Sequence, residues 1–179
     1  MALVSVIIPY YKKINQINKT LNSVLAQTFQ DFEIILIYDD TDIHDLVYIK
    51  ESFSKNSKIK IVQNKKNYGA GMSRNIGIKH SSGNIIAFLD ADDIWYSDKL
   101  EKQVKFMREN KYNFSFTNYL KKISNKKSIH VQSKKRKILY KDLLHDNEIG
   151  LSTVMLNKNI IKNELFPSLK TKEDYVAWL

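Results

Sequence analysis

Two kinds of apolar pattern alternate along the first hundred residues. Short, mainly apolar runs rich in β-branched residues occupy 3–9 (LVSVIIP), 32–38 (FEIILIY), 59–62 (IKIV) and 84–90 (NIIAFLD). The first two read as buried strands, the third as a short strand and the last as a fourth strand. Between them, apolar residues recur at helical spacing. Ile14, Ile17, Leu21, Val24 and Leu25 share one face, as do Leu46, Ile49 and Phe53, and later Leu100, Val104 and Met107. Gly69 and Gly71 open a loop that enters another helix. Ser97 is the N-cap candidate for the helix after the fourth strand, with Glu101 one position beyond capping-box spacing.

Strand–helix alternation predicts βαβ units, hence an α/β fold with a mostly parallel central sheet flanked by helices. Ligands of such sheets bind at the carboxyl ends of the strands. Pro9-Tyr10-Tyr11, Tyr38-Asp39-Asp40 and Asp90-Ala91-Asp92-Asp93 each end a predicted strand, so they should share one rim. The second half is less regular. Residues 118–141 hold nine Lys or Arg and no acid, and read as a loop or irregular hairpin. Residues 151–157 read as a further strand and 158–163 as a short helix. The chain stops at KEDYVAWL, inside a helical pattern with no stop signal, as though a longer protein continued.

Composition narrows the class. A chain of 179 residues with 43% hydrophobic residues is one domain of ordinary size with a real core. The absence of cysteine excludes disulfides and thiolate metal sites and fits a reducing cytosol. No run approaches the ~18 apolar residues of a spanning helix. The first charges follow the N-terminal apolar run, the reverse of a signal peptide. A soluble, cytoplasmic protein is expected. The net charge of +10 favours anionic partners: nucleic acid, a membrane surface or phosphorylated small molecules. A genomic base bias towards Lys and Asn accounts for it equally well. No nucleic-acid-binding motif is present, so nucleic acid is not an expected partner.

Three carboxylates at a strand end then need a reason. Adjacent acids repel and raise one another's pKa, which a cation among them relieves. Mg²⁺ and Mn²⁺ favour oxygen ligands, and Mg²⁺ takes one or two carboxylates plus substrate phosphates. The alternative is a solvated acidic turn; the position on the ligand-binding rim favours the cation. The glycine segment is no dinucleotide fingerprint, because Gly77 comes six residues after Gly71, and no Walker lysine follows. Spacing alone leaves Arg74 open between a phosphate contact and a surface arginine. His44, His80, His130 and His145 have no ligand spacing, and no nucleophile elbow appears.

The run NYGAGMSRNIGIKHSSGNIIAFLDADDIWYSDKLEKQV resembles the family 2 glycosyltransferases, as do VSVIIPYY, TLNSVLAQTFQDFEIILI and KEDYVAW. The resemblance implies a single GT-A (Rossmann-like) nucleotide-diphospho-sugar transferase domain over residues 1–179. Residues to about 97 would bind the donor and 98–179 would serve the acceptor. It implies an inverting enzyme that uses a UDP-sugar and Mn²⁺ or Mg²⁺. Tyr11, after Pro9, matches the aromatic that stacks on the base, and Asp39 the acid that reads its edge. Arg74 matches the arginine beside the diphosphate. Asp92 and Asp90 match the metal-binding D-x-D, with Asp90 also near ribose, and Asp93 matches a third acid that orients the site. Asp174 matches the catalytic base, with Glu173 beside it. Departures lie at Tyr38, Asp40 and Thr41, where the family commonly has another acid and Gly-Ser, and at Lys12, where it has Asn. The Q-x-x-R-W motif of processive synthases is absent, which points to transfer of one sugar. The expected acceptor is a glycan or lipid-linked sugar. The basic residues of 121–141, including Lys134, Lys135, Arg136 and Lys137, face either an anionic acceptor, an anionic membrane at the inner face of the cell, or only solvent. Rival readings are a sugar nucleotidyltransferase, against which PYYKKINQ offers no phosphate-loop glycine, and an inactive nucleotide-sugar-binding homologue.

Overall fold

The computed structural model describes residues 3–124, 127–133, 135–169 and 171–179; Lys134 of the basic run lies outside the described residues. In chain order the elements are β1 (Val4–Tyr10), α1 (Ile14–Leu25), β2 (Phe32–Tyr38), α2 (His44–Phe53), β3 (Ile59–Gln63), α3 (Ala70–His80), β4 (Ile85–Phe88) and α4 (Lys99–Asn110). There follow β5 (Phe114–Ser115), β6 (Tyr119–Ser124), β7 (Lys127–Val131), α5 (Tyr140–Leu143), a 3-10 turn (Leu151–Thr153), β8 (Met155–Asn157), a second 3-10 turn (Lys158–Ile160) and α6 (Glu173–Trp178).

Six strands form one sheet in the order β3-β2-β1-β4-β8-β5, and β6 pairs with β7 apart from it. The chain winds outward from β1 through β2 to β3, all parallel, then returns to lay β4 parallel on the other side of β1. Such a reversal of winding opens a crevice at the carboxyl ends of β1 and β4. Strand β8 runs antiparallel to both β4 and β5. It therefore starts, and β5 ends, at that same rim.

Period-two alternation in β1 feeds two cores. Val4, Val6, Ile8 and Tyr10 pack on Ile17, Leu21 and Val24 of α1 and on Leu100, Val104 and Met107 of α4. Ile7 faces the other way, towards Ile78, Phe88 and Phe166. Each such fully buried aliphatic side chain stabilises the fold by about 2 kcal/mol. Helix α3 lies so close to β1 that a Cβ on Gly77 would stand 2.4 Å from Ile7 Cγ2.

Four boundaries differ from the sequence expectation. The fourth strand is Ile85–Phe88, so Asp90 stands in the loop beyond it. The N-cap of α4 is Asp98 rather than Ser97, and its carboxylate is drawn off to Lys102. Glu101 accepts instead from the Thr28 hydroxyl, 2.7 Å. The expected strand over 151–157 begins with a 3-10 turn, closed by the Thr153 hydroxyl on the Gly150 carbonyl, 2.6 Å. The helix expected over 158–163 is only the turn Lys158–Ile160, whose first residue is tied to the segment before β4. The Lys158 N–H donates to the Asn84 carbonyl at 2.8 Å and its ammonium to Ser81 at 2.7 Å. The basic segment contains an irregular hairpin, with a bulge between Lys122 and Ser124.

Candidate active site

The rim is built by adjacent strands in register. Tyr10 of β1 pairs with Tyr38 of β2, and Ile7 with Phe88 of β4. Alternation sends Tyr10 into the core, where its ring stacks on Tyr38 at 5.0 Å and its hydroxyl donates to Asp45. Burial foremost, then that bond to Asp45, pushes the Tyr10 pKa up, so it stays a neutral phenol. Tyr11 consequently turns outward and is 46% exposed.

Asp39 is buried beyond the end of β2. Its Oδ1 accepts from Asn64 Nδ2 at 2.6 Å and the Tyr68 N–H at 2.8 Å, and its Oδ2 from the Gly69 N–H at 2.8 Å. A carboxylate offers about four acceptor positions, so one remains. Asp39 thus fixes the turn that enters α3, where Gly69 has φ +84°, a conformation that costs a side chain.

Arg74 projects from the first turns of α3 and is 4% exposed. Its Nη2 donates to Asp90 Oδ1 and its Nη1 to Glu173 Oε1, both at 2.7 Å, and its guanidinium carbon lies 5.4 Å from the Phe166 ring centre. Its Nε is buried without a partner. Helix α6 reaches this arginine because position 71 is glycine. A Cβ there would meet Glu173 Cγ at 3.0 Å and the Pro167 carbonyl at 3.3 Å.

The acid loop is braced from two sides. The Thr20 hydroxyl of α1 donates to the Ala91 carbonyl, 2.9 Å. Ser152, in the 3-10 turn, accepts from the Asp90 N–H at 3.0 Å, and its carbonyl accepts from Trp95 Nε1 at 2.8 Å. The Ser152 hydroxyl also bonds the Asp93 carboxyl. Burial of that carboxyl, then the charges of Asp90 and Asp92, push the Asp93 pKa up, and Ser152 opposes them. Asp92 is half-exposed and paired with Lys13 at 2.7 Å.

Between these groups lies a cleft of about 380 Å³, lined among others by Pro9, Tyr11, Asp39, Arg74, Asp90 and Asp92. Size does not mark the site: a hollow of about 480 Å³ between Leu25, Phe53 and Lys58 contains none of the acids. The cleft gathers all the residues expected on the donor side except Asp93, which joins through Ser152. Asp174 does not line it; the residue is half-buried, one position beyond Glu173 on α6. Sequence reasoning missed Ser152, Lys13 and the grip of Glu173 on Arg74. The Gly-x-Ser-Thr at 150–153 was a turn signal inside an apolar run.

Among the described residues no three His, Cys, Asp or Glu side chains form a ready metal cage. The donor set nevertheless fits a hard divalent cation that shares its shell with phosphate oxygens. Among the described residues Asp92 pairs with Lys13, and Asp90 and Glu173 share Arg74, so the acids of the rim, Asp39 and Asp93 included, outnumber these two cations.

Fold and rim together define a GT-A domain, the α/β architecture of glycosyltransferases. The chain belongs to glycosyl transferase family 2, whose model matches residues 5–166. It is 38% identical over 177 residues to the Escherichia coli UDP-Glc:alpha-D-GlcNAc-diphosphoundecaprenol beta-1,3-glucosyltransferase WfgD, covering 99% of this chain and 68% of that one. It is likewise 38% identical to an uncharacterized glycosyltransferase of Rickettsia conorii, covering 98% of this chain but only 29% of the relative's length. The structure of S. aureus TarS 1-349 in complex with UDP-GlcNAc matches with a TM-score of 0.79 and 27% identity, over 98% of this chain and 52% of that one.

Proposed function

We propose that this chain transfers one sugar, with inversion, from a UDP-sugar to a hydroxyl of a lipid-linked glycan, in the assembly of a bacterial surface polysaccharide. Residues to about 97 bind the donor, and 98–179 bring the acceptor. The observation that carries the reading is the clasp of Arg74 between Asp90 and Glu173, 2.7 Å to each, on the wall of a cleft at the winding reversal. It joins the donor-side acid to the helix that bears Asp174. The name of WfgD describes such a transfer, and TarS is known in complex with UDP-GlcNAc. No described helix is long and apolar enough to cross a membrane. The reading sets the reaction at the cytoplasmic face, on a carrier held in the bilayer.

Tyr11 offers its exposed ring to the base, and the free acceptor position of Asp39 reads the base edge. Arg74 faces the diphosphate with two N–H donors. Mn²⁺ or Mg²⁺, held by Asp92 and Asp90, would supply electrostatic stabilisation of the departing nucleoside diphosphate. Asp93, tied to Ser152, orients that loop. An acceptor hydroxyl is a weak nucleophile, and Asp174 takes its proton as the oxygen attacks the anomeric carbon opposite the leaving group. One displacement inverts the centre.

Asp174→Asn keeps the shape and removes the base. Expected is a loss of kcat of about 10²–10⁴, with UDP affinity by calorimetry unchanged. A variant that keeps full kcat removes Asp174 from the reaction. UDP binding by the parent chain without transfer to any lipid-linked sugar supports the inactive homologue instead.

A further inference from the structure

The hairpin β6–β7 is outside the main sheet, and nothing in the catalytic scheme uses it. Both strands are exposed nearly throughout, and all six residues of β6 are exposed. A bare cationic hairpin would be unremarkable. This one also carries Leu120, Ile123 and Ile129 to solvent at 40%, 51% and 47% exposure, and none of them joins either core. They are interspersed with Lys121, Lys122 and Lys127, and Ile129 stands opposite Lys121. No acid occurs in residues 118–141.

Topology sets where the hairpin stands. Ser115 pairs with Met155, which pairs with Ala87, so β5 leaves the sheet beside β4 at the acid-bearing rim. Three residues later the chain enters β6. Its root is fastened to the stretch that braces the acids. A Cβ on Gly150 would stand 3.0 Å from the Tyr119 ring, and the Ser133 hydroxyl donates to Glu148 at 2.8 Å. A strand of this length reaches about 20 Å.

We propose that the β6–β7 hairpin is a membrane-docking element, which lays Ile123 and Ile129 into the headgroup region of an anionic bilayer while Lys121, Lys122 and Lys127 bind the lipid phosphates. The charge is complementary to such a surface, and isoleucines between lysines are the arrangement of an interfacial anchor, with long basic side chains reaching back to the headgroups. A soluble polyanion would use the lysines and leave the isoleucines in water, so the apolar pair selects the bilayer. The inference deepens the lipid-linked-acceptor reading, because it sets the cleft at the surface where such an acceptor resides.

The test is co-sedimentation of the 179-residue chain with phosphatidylglycerol vesicles, phosphatidylcholine vesicles and soluble dextran sulfate. Expected is binding to the anionic vesicles alone. The partition coefficient should fall about 100-fold in Lys121→Gln/Lys122→Gln/Lys127→Gln, at about fivefold per cation. It should fall about tenfold in Ile123→Ser/Ile129→Ser. In Ile123→Trp, brominated lipid should quench the new tryptophan. No vesicle binding, no effect of the isoleucine substitutions, or no quenching would each overturn the proposal. Equal retention by dextran sulfate would reassign the surface to a soluble polyanion. UDP calorimetry on the same samples separates the two readings: loss of UDP binding condemns the transferase site, and loss of vesicle binding condemns the hairpin.

Discussion

Two side chains show how much one hydrogen-bonding group can organise. The Ser152 hydroxyl touches the Asp90 N–H and the Asp93 carboxyl. Ser152→Ala removes both bonds while the fold keeps its core. Expected is about tenfold weaker Mn²⁺ binding by calorimetry with a melting temperature within about 3 °C of the parent, from a net cost of about 1 kcal/mol. Unchanged Mn²⁺ affinity would mean the loop holds itself. At the opposite ends of the strands, Glu33 Oε1 accepts from the Ser5 hydroxyl (2.6 Å), the Ser82 N–H (2.6 Å) and the Ser82 hydroxyl (2.7 Å). Burial pushes its pKa up, but these bonds outweigh it and the net displacement is down. The charged form is therefore favoured by folding. Its contribution is present above the ordinary glutamate pKa of 4.5 and is lost as pH falls through the lowered folded value. Glu33→Gln should cost about 2 kcal/mol at pH 7 in urea titrations, and the deficit should shrink below pH 4.5. A deficit constant with pH would refute the linkage.

At the scale of elements, the strand–helix alternation of residues 3–110 was legible because β1, β2 and β4 are buried on both faces, while β3, at the sheet edge, is only partly covered. The period of the apolar residues therefore reports the environment directly. The rim followed from the same logic, since Tyr10, Tyr38 and Phe88 each end or nearly end a strand. Past residue 110 the signal weakens. Strand β5 has two residues and β8 three, too short to show a period, and they are held by pairing with each other. The 3-10 turn holding Ser152 lay within one apolar run, because Leu151, Val154 and Met155 are all buried although the backbone turns beneath them. The nearness of α6 to α3 left no local trace except Gly71. Gly71→Ala would improve helix propensity by about 1 kcal/mol yet push Glu173 back by a few tenths of an ångström. Expected is a stable protein, unmoved or raised in melting temperature, with kcat down about tenfold. A variant of full activity would show that α6 is free to shift.

Across the whole molecule, charge is divided. The chain carries +10, yet its cleft is ringed by acids that outnumber Lys13 and Arg74. On the proposed reading, UDP would meet repulsion there that a divalent cation would remove. Expected is UDP binding at least tenfold weaker after chelation with EDTA and restored by Mn²⁺, read by thermal shift and calorimetry. UDP affinity indifferent to EDTA would leave Lys13 and Arg74 as the only counter-charges.

Arg74 has its two terminal nitrogens engaged, one on each side of the cleft. Those two bonds use two of its five N–H donors. On the proposed reading, a diphosphate that draws on this guanidinium competes with Asp90 and Glu173 for one hub. Occupancy of the donor cleft and the seat of the helix that carries Asp174 are then two readings of a single side chain.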